Sequence, residues 1–253
     1  MENRNPELSR LERKVLSLAR GLASQGIKVL ELAAGRGTLS AALAGFGLKV
    51  TALDIHPGQF ETTRPGVQIL ASDLSRPLPF ADSCYELVIC CEGIEHLEHQ
   101  YRFARELARV IKPGGRLILT TPNITNIAGR LRFLLTGFYP LAVRPSSEFK
   151  RDRTIEHIYP LTFWQLRHIL HTSGLIIERI TTDHIRRSGL AFAPLFPLSY
   201  LLTLNSLRSE KEPFQRRANF EIAGQMHTPA LFFGRTQIVV ARKKESTYDT
   251  TPW

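Results

Sequence analysis

Cysteine is scarce. Three occur in 253 residues (Cys84, Cys90, Cys91), without a Cys-x-x-Cys pair or the Cys/His spacing of a structural zinc site. A disulfide scaffold and a zinc module are therefore not expected. Internal repeats and low-complexity tracts are absent. The polar start, Met1-Glu-Asn-Arg-Asn-Pro, lacks the apolar core and small-residue cleavage site of a secretory signal. With free thiols, a reducing cytoplasm is the expected location. Residues 188–207 are a run of 20 uncharged positions, but Pro194, Pro197 and Asn205 oppose a spanning helix. Apolar residues make up 43% and charged residues 22%, which is ordinary for a globular chain and excludes disorder.

The net charge of +10 is unevenly spread. Residues 1–100 carry 10 Lys/Arg against 12 Asp/Glu. Residues 101–187 carry 15 against 6, and residues 188–253 carry 8 against 5. A basic second half suits an anionic lipid, an acidic substrate or simple solvation. No aromatic-basic interleaving of a nucleic-acid module is present, so no nucleic-acid partner is expected.

Apolar residues at 8, 11, 15, 18 and 22 predict an amphipathic helix over residues 7–24. Strands follow at 28–32, 49–54, 67–71, 85–91 and 116–121. Helices are expected near 38–44 and at 102–111, the latter ended by Pro113-Gly-Gly. A helix at 161–172 and strands at 175–180 and 236–242 complete the pattern. Alternating strands and helices imply βαβ units and a parallel sheet.

The strongest local signal is Val29-Leu-Glu-Leu-Ala-Ala-Gly-Arg-Gly-Thr-Leu-Ser40, a strand running through small residues into a helix. Small residues at 33, 35 and 37 permit close backbone approach to a ligand. A dinucleotide-binding turn has a similar look, and Asp54 stands where a ribose-binding acid would. Against that reading, Glu31 would face a pyrophosphate, and Ser40 replaces the third glycine.

Further motifs follow in order: Asp54 ending the second strand, Asp73 in Ala-Ser-Asp-Leu, Cys90-Cys-Glu-Gly-Ile-Glu-His-Leu-Glu-His99, and Arg105–Leu119. Over residues 28–123 this set resembles the class I S-adenosylmethionine-dependent methyltransferases, in the broad group that includes ubiquinone-type O-methyltransferases. Ala33 departs from the commoner glycine. The resemblance implies an α/β, Rossmann-like, seven-stranded and mostly parallel sheet. Helices lie on both faces, the last strand is antiparallel, and an apolar α-helical lid is added. It also implies one domain over 1–253. That domain has a cofactor-binding core at 28–123, lid insertions at 124–160 and 186–235, and a flexible tail at 245–253.

The resemblance further implies S-adenosyl-L-methionine as cofactor. The Ala33–Gly35–Gly37 turn would pass beneath its methionine and ribose. Asp54 would accept from both ribose hydroxyls, and Asp73 from the adenine amine. Leu74 and Ile55 would flank the ring. Glu31 and Glu92 would attract the ammonium and sulfonium. For isolated residues, helix N-caps (Asp54, Asp73) and a buried salt bridge (Glu31) are the ordinary alternatives.

Residues after the fourth strand project into the cleft at the carboxyl ends of the sheet. His96 is the candidate base there, with Glu92 beside it; ordering of the loop is the competing role. Glu92, Glu95 and His96 offer ligands for the divalent cation found in some relatives, but no metal is assigned. There is no Asn/Asp-Pro-Pro-Tyr/Phe sequence, which disfavours amino groups of bases or glutamine as acceptors. The two insertions are rich in Leu, Phe, Pro and Tyr and flanked by Arg. They suit an apolar small-molecule acceptor, or peripheral contact with an anionic membrane through 188–207. A cover for the sheet and a dimer contact are the plainer roles, and oligomeric state is left open. A glycan or other secondary-metabolite acceptor, a non-catalytic S-adenosylmethionine-binding module and a nicotinamide enzyme are the alternatives.

Overall fold

A computed structural model describes residues 7–61, 64–139, 157, 159–185 and 187–245. Helix α1 spans Arg10–Leu22. It starts later than the apolar periodicity suggests because Ser9 and Glu12 form a capping box. Strand β1 (Lys28–Leu32), helix α2 (Thr38–Gly45), β2 (Lys49–Asp54), β3 (Val67–Ala71) and β4 (Tyr85–Cys91) follow. Next come α3 (Gln100–Val110), β5 (Ile111–Pro122), α4 (Ile127–Thr136), α5 (Phe163–Thr172) and β6 (Leu175–Thr181). The remainder is α6 (Arg187–Leu190), α7 (Phe196–Leu207), α8 (Pro213–Met226), α9 (Pro229–Phe233) and β7 (Thr236–Lys243).

One seven-stranded sheet has the order β3-β2-β1-β4-β5-β7-β6, with β7 antiparallel to both neighbours. Alternate residues feed opposite cores. Val29, Leu87 and Ile89 meet Leu11, Val15 and Leu18 of α1 and Leu39 and Leu43 of α2. Leu30, Leu32, Val88 and Cys90 meet Phe103 and Leu107 of α3 and Phe163 and Leu166 of α5. Both sheet faces are covered, which explains the continuous apolar runs of the central strands.

One expected boundary moves. Pro113-Gly-Gly does not end α3, which stops at Val110 as Ile111 turns extended. The Pro-Gly-Gly instead bulges out of β5, between the pairs Tyr85–Ile111 and Leu87–Arg116. A Cβ at Gly115 would stand 2.8 Å from the Lys112 carbonyl oxygen and 3.0 Å from that of Glu86, so the bulge has no room for a side chain.

The strand order reverses between β1 and β4, so their carboxyl ends flank the crevice where such sheets bind ligands. The helical additions emerge at that same end, since α4 follows β5 and α6–α9 lie between the end of β6 and the start of antiparallel β7. Arg130 of α4 donates to Ser199 Oγ of α7 at 2.9 Å, and Ser199 meets His227 Nε2 at 3.1 Å. The uncharged run breaks into α6, a 3-10 turn at Ala193–Leu195, and α7, with Pro194 and Pro197 in first turns. Among the described residues, no helix is long and apolar enough to cross a membrane. The basic stretch 150–153, Arg186 and the tail from 246 lie outside the described residues.

Candidate active site

Beyond Leu32 the chain turns through three left-handed residues: Ala33 (φ 54°), Gly35 (53°) and Gly37 (75°). For Ala33 this conformation costs roughly 1–2 kcal/mol. Two anchors hold the turn to β2. The Ala34 N–H donates to the Leu53 carbonyl at 3.0 Å, and the Gly35 N–H donates to Asp54 Oδ2 at 2.7 Å. Asp54 Oδ1 accepts from the His56 N–H at 2.9 Å. Each Asp54 oxygen keeps one lone-pair direction for a further donor.

The three small residues are small for different reasons. A Cβ on Gly35 would meet nothing within 4 Å, so its outer face is open. A Cβ on Gly37 would collide with the Phe60 ring, so a ring of the chain itself fills that space. Ala33 backs onto the β4 turn, where a Cβ on Gly93 would come within 3.2 Å of its own. Only Gly35 behaves as the spacing led us to expect of all three.

Asp73 caps no helix. Its Oδ1 accepts the Ser75 N–H at 2.8 Å in a tight turn, and the Ser75 hydroxyl, with that N–H, holds its carboxyl below the usual range. Arg76 approaches at 3.8 Å on the exposed side. Ile55, 46% exposed, presents an apolar surface beside Asp54, and Leu74 is half-buried.

Glu31 does not form the buried salt bridge that an isolated acid there would suggest. It is 2% exposed and has no ion pair among the described residues; its one partner is the Ser40 hydroxyl, which donates to it. Burial pushes its carboxyl up to about 8, so it is neutral at pH 7 until a cation approaches. Ser40, visible in the sequence only as a missing glycine, is that buried partner.

At the end of β4, Glu92 is left-handed (φ 48°), and its N–H donates to Thr120 O and Oγ1, both at 3.1 Å. Glu95 is fully buried, and neither carboxyl oxygen has a hydrogen-bond partner among the described residues. Burial pushes it up to about 8 as well. His96 closes the 3-10 turn Ile94–His96 and stands edge-on to His157, with ring centroids 5.0 Å apart. His157 Nε2 lies 4.0 Å from Glu95 Oε1. The neighbouring chain docks there because the Tyr159 N–H donates to the Glu95 carbonyl at 3.0 Å. One ligand atom each from Glu95, His96 and His157 lies within 4.8 Å of the others, a spacing that can hold a divalent cation. Glu92 stands outside that trio.

Residues 30–119 match the methyltransferase-domain family. A demethylmenaquinone methyltransferase of Beutenbergia cavernae is 36% identical over 147 residues, 55% of this chain and 60% of that protein. A ubiquinone biosynthesis O-methyltransferase of Rickettsia conorii is 31% identical over 161 residues, 60% of this chain and 55% of that protein. The chain thus spans under two thirds of the length of these relatives. A solved S-adenosylmethionine-dependent methyltransferase of Archaeoglobus fulgidus shares the fold. Its TM-score is 0.57 at 18% identity, over 92% of this chain and 94% of that one. Residues 30–119 thus match a methyltransferase domain, on a sheet with the fold of a solved S-adenosylmethionine-dependent methyltransferase.

S-adenosylmethionine is the cofactor of such domains, and the residues present fit it. Gly35 leaves an open backbone cradle, Asp54 retains two acceptor directions, and Ile55 offers an apolar platform. Glu31 is a buried acid still lacking a cation.

Beside these candidate residues stand others that the sequence did not disclose: His157, Asp183 and Arg235, with Phe60 beside Gly37. Arg235 Nη2 lies 3.9 Å from Glu92 Oε1, and its Nε lies 3.5 Å from Asp183 Oδ2. Asp183 follows β6 and Arg235 precedes β7. Only the antiparallel placement of β7 could have put them beside the end of β4.

Proposed function

We propose that the domain transfers the methyl group of S-adenosylmethionine to an oxygen of an apolar or lipid-linked small molecule. The observation that carries this reading is the facing of the Gly35–Asp54 cradle and the Glu92–His96 turn across the β1/β4 crevice. When bound, the cofactor supplies a methyl group on a positively charged sulfur. Asp54 takes the ribose hydroxyls in charge-assisted hydrogen bonds. Asp73 takes the adenine amine, with Ile55 and Leu74 against the ring. Glu31 and Glu92 favour the cationic end. His96 would accept the acceptor hydroxyl's proton, becoming an imidazolium as the oxygen is methylated.

The acceptor's apolar character rests on three supports. Two relatives are named for menaquinone and ubiquinone chemistry. The helices α4 and α6–α9, rich in Leu and Phe, lie at the carboxyl end, where they would serve as a lid. Their outer faces leave Leu134 and Leu135 77% and 81% exposed. Peripheral contact with an anionic membrane through α4 and α7 belongs to the same reading.

Transfer of labelled methyl to a polyprenyl catechol, compared with the same catechol lacking its prenyl chain, tests the reading. Preferential methylation of the prenylated form is the expected result. Tight cofactor binding without transfer to either acceptor would leave a non-catalytic binding module.

A further inference from the structure

The geometry points to Arg235 as a positioning residue which, pinned by Asp183, partly neutralises Glu92. It thereby sets how strongly the crevice favours the cationic cofactor over its neutral thioether product. The inference rests on the methyltransferase reading, because it assigns Glu92 to the cationic end of the ligand.

Three strand ends converge on this charge chain. The Glu92 N–H is tied to Thr120 of β5, the Asn123 N–H donates to the Arg235 carbonyl at 3.0 Å, and the Arg235 N–H donates to the His184 carbonyl at 3.1 Å. Backbone bonds therefore fix Glu92 and Arg235 relative to each other. Their side chains are unequally held. The Asp183 side chain is 1% exposed and takes His184 Nδ1 at 2.8 Å and Arg235 Nε at 3.5 Å. Losing Arg235 would take a permanent cation from a buried carboxylate otherwise met by the His184 ring and the Thr182 hydroxyl, so the guanidinium stays with it. Glu92 receives only a second, longer contact of 3.9 Å, and both Glu92 and Arg235 remain partly exposed toward the crevice.

One cation thus serves two carboxylates. The surplus negative charge lies on Glu92, the more accessible of the two. A sulfonium ligand gains from that surplus, whereas its thioether product does not. Arg235 limits the gain and so limits how far the crevice prefers substrate to product.

Calorimetry with S-adenosylmethionine and S-adenosylhomocysteine at pH 8 and low salt gives the ratio of the two affinities, a quantity that general loosening of the fold would not move. Arg235→Gln should raise the preference for the sulfonium form by roughly tenfold. Arg235→Lys, which keeps the charge, should stay within about threefold of wild type and guards against misfolding of the first variant. Asp183→Asn should lower the preference by releasing Arg235 toward Glu92. In a Glu92→Gln background, Arg235→Gln should no longer change the ratio. An unmoved ratio in folded Arg235→Gln, or an equal shift with and without Glu92, overturns the inference while leaving the cofactor assignment standing. Failure of wild type to bind either ligand would overturn the methyltransferase reading itself, and this inference with it.

Discussion

Replacing Glu31 by Gln should stabilise the protein while weakening its hold on the cofactor. Glu31 is buried with only the Ser40 hydroxyl as partner among the described residues, and burial raises its carboxyl to about 8 from an ordinary value of 4.5. The sign follows from proton counting. Between pH 4.5 and 8 the folded state binds this proton and the unfolded state does not, so stability falls as pH rises through that window. At pH 7 the cost is about 3 kcal/mol, from 2.5 pH units at 1.36 kcal/mol each. Gln keeps the shape and still accepts from Ser40 without that cost. Glu31→Gln should therefore gain about 3 kcal/mol at pH 7, or roughly 6–12 °C in Tm at this chain length. It should gain more at pH 8 and almost nothing at pH 4.5. Melts of both proteins at the three pH values measure this directly. A gain independent of pH, or a loss at pH 7, would refute the assignment of Glu31 as a neutral buried acid. The functional consequence has its own readout. If the cofactor's ammonium is the missing cation, binding should release a proton near pH 7, and calorimetry in buffers of different ionisation enthalpy should count it.

Asp54→Ala should weaken S-adenosylmethionine binding at least tenfold, since each lost charge-assisted bond is worth about 1.5–3 kcal/mol. Because Asp54 also anchors Gly35 and His56, a modest fall in Tm should accompany it; wild-type affinity in a folded variant would sink the cofactor assignment. His96→Ala should lower turnover by roughly 10²–10⁴-fold with little change in cofactor affinity and no rescue by added Mg²⁺. A variant within about threefold of wild type would reduce His96 to a loop-ordering residue.

Strand positions were legible because each central strand is apolar on both faces and short enough to be bracketed by turns, as in Val29–Leu32 and Leu87–Cys90. The cofactor turn was legible because left-handed residues demand small side chains, but the pattern could not say what fills the space. At Gly35 it is open, and at Gly37 it is Phe60, which lies 23 positions away in sequence. Glu31 could be recognised as an acid in a strand. Its neutrality comes from burial, which outweighs the Ser40 hydroxyl that favours the charged form, and burial is a tertiary fact. Asp183 and Arg235 were illegible for the same reason, since only the register of β7 brings them to Glu92. Pro113-Gly-Gly misled because glycine and proline mark a β-bulge as readily as a helix end.

The orientation of α7 decides which residues test membrane contact. Insertion of the apolar run 188–207 would offer Phe192, Leu195, Phe196, Tyr200 and Leu201 to the headgroups. Phe192, Leu195 and Leu201 are exposed, but two turn inward: Phe196 lies 5.0 Å from the Phe232 ring and 5.7 Å from His227, and Tyr200 lies 5.1 Å from His227. Leu198, Leu201 and Leu202 share the opposite, exposed face, and no residue of α7 is buried. Arg187 and Arg208 bracket this segment and are exposed, as is Arg132 on α4. Burying a leucine fully is worth about 1.5–3 kcal/mol, so a double Leu201→Ser, Leu202→Ser change should weaken vesicle binding at least tenfold. Its Tm should not move, because both side chains are already in solvent. Each arginine near an anionic surface adds about 1 kcal/mol, so binding should also fall as salt rises. Phe196→Ser should do the opposite, lowering Tm by several degrees through the lost ring packing while leaving the outer face intact. Sedimentation with anionic and zwitterionic vesicles, beside thermal melts, separates the cases. A wild type that never sediments, or a double serine variant that sediments as well as wild type, would leave these helices as a lid over the sheet and end the membrane reading.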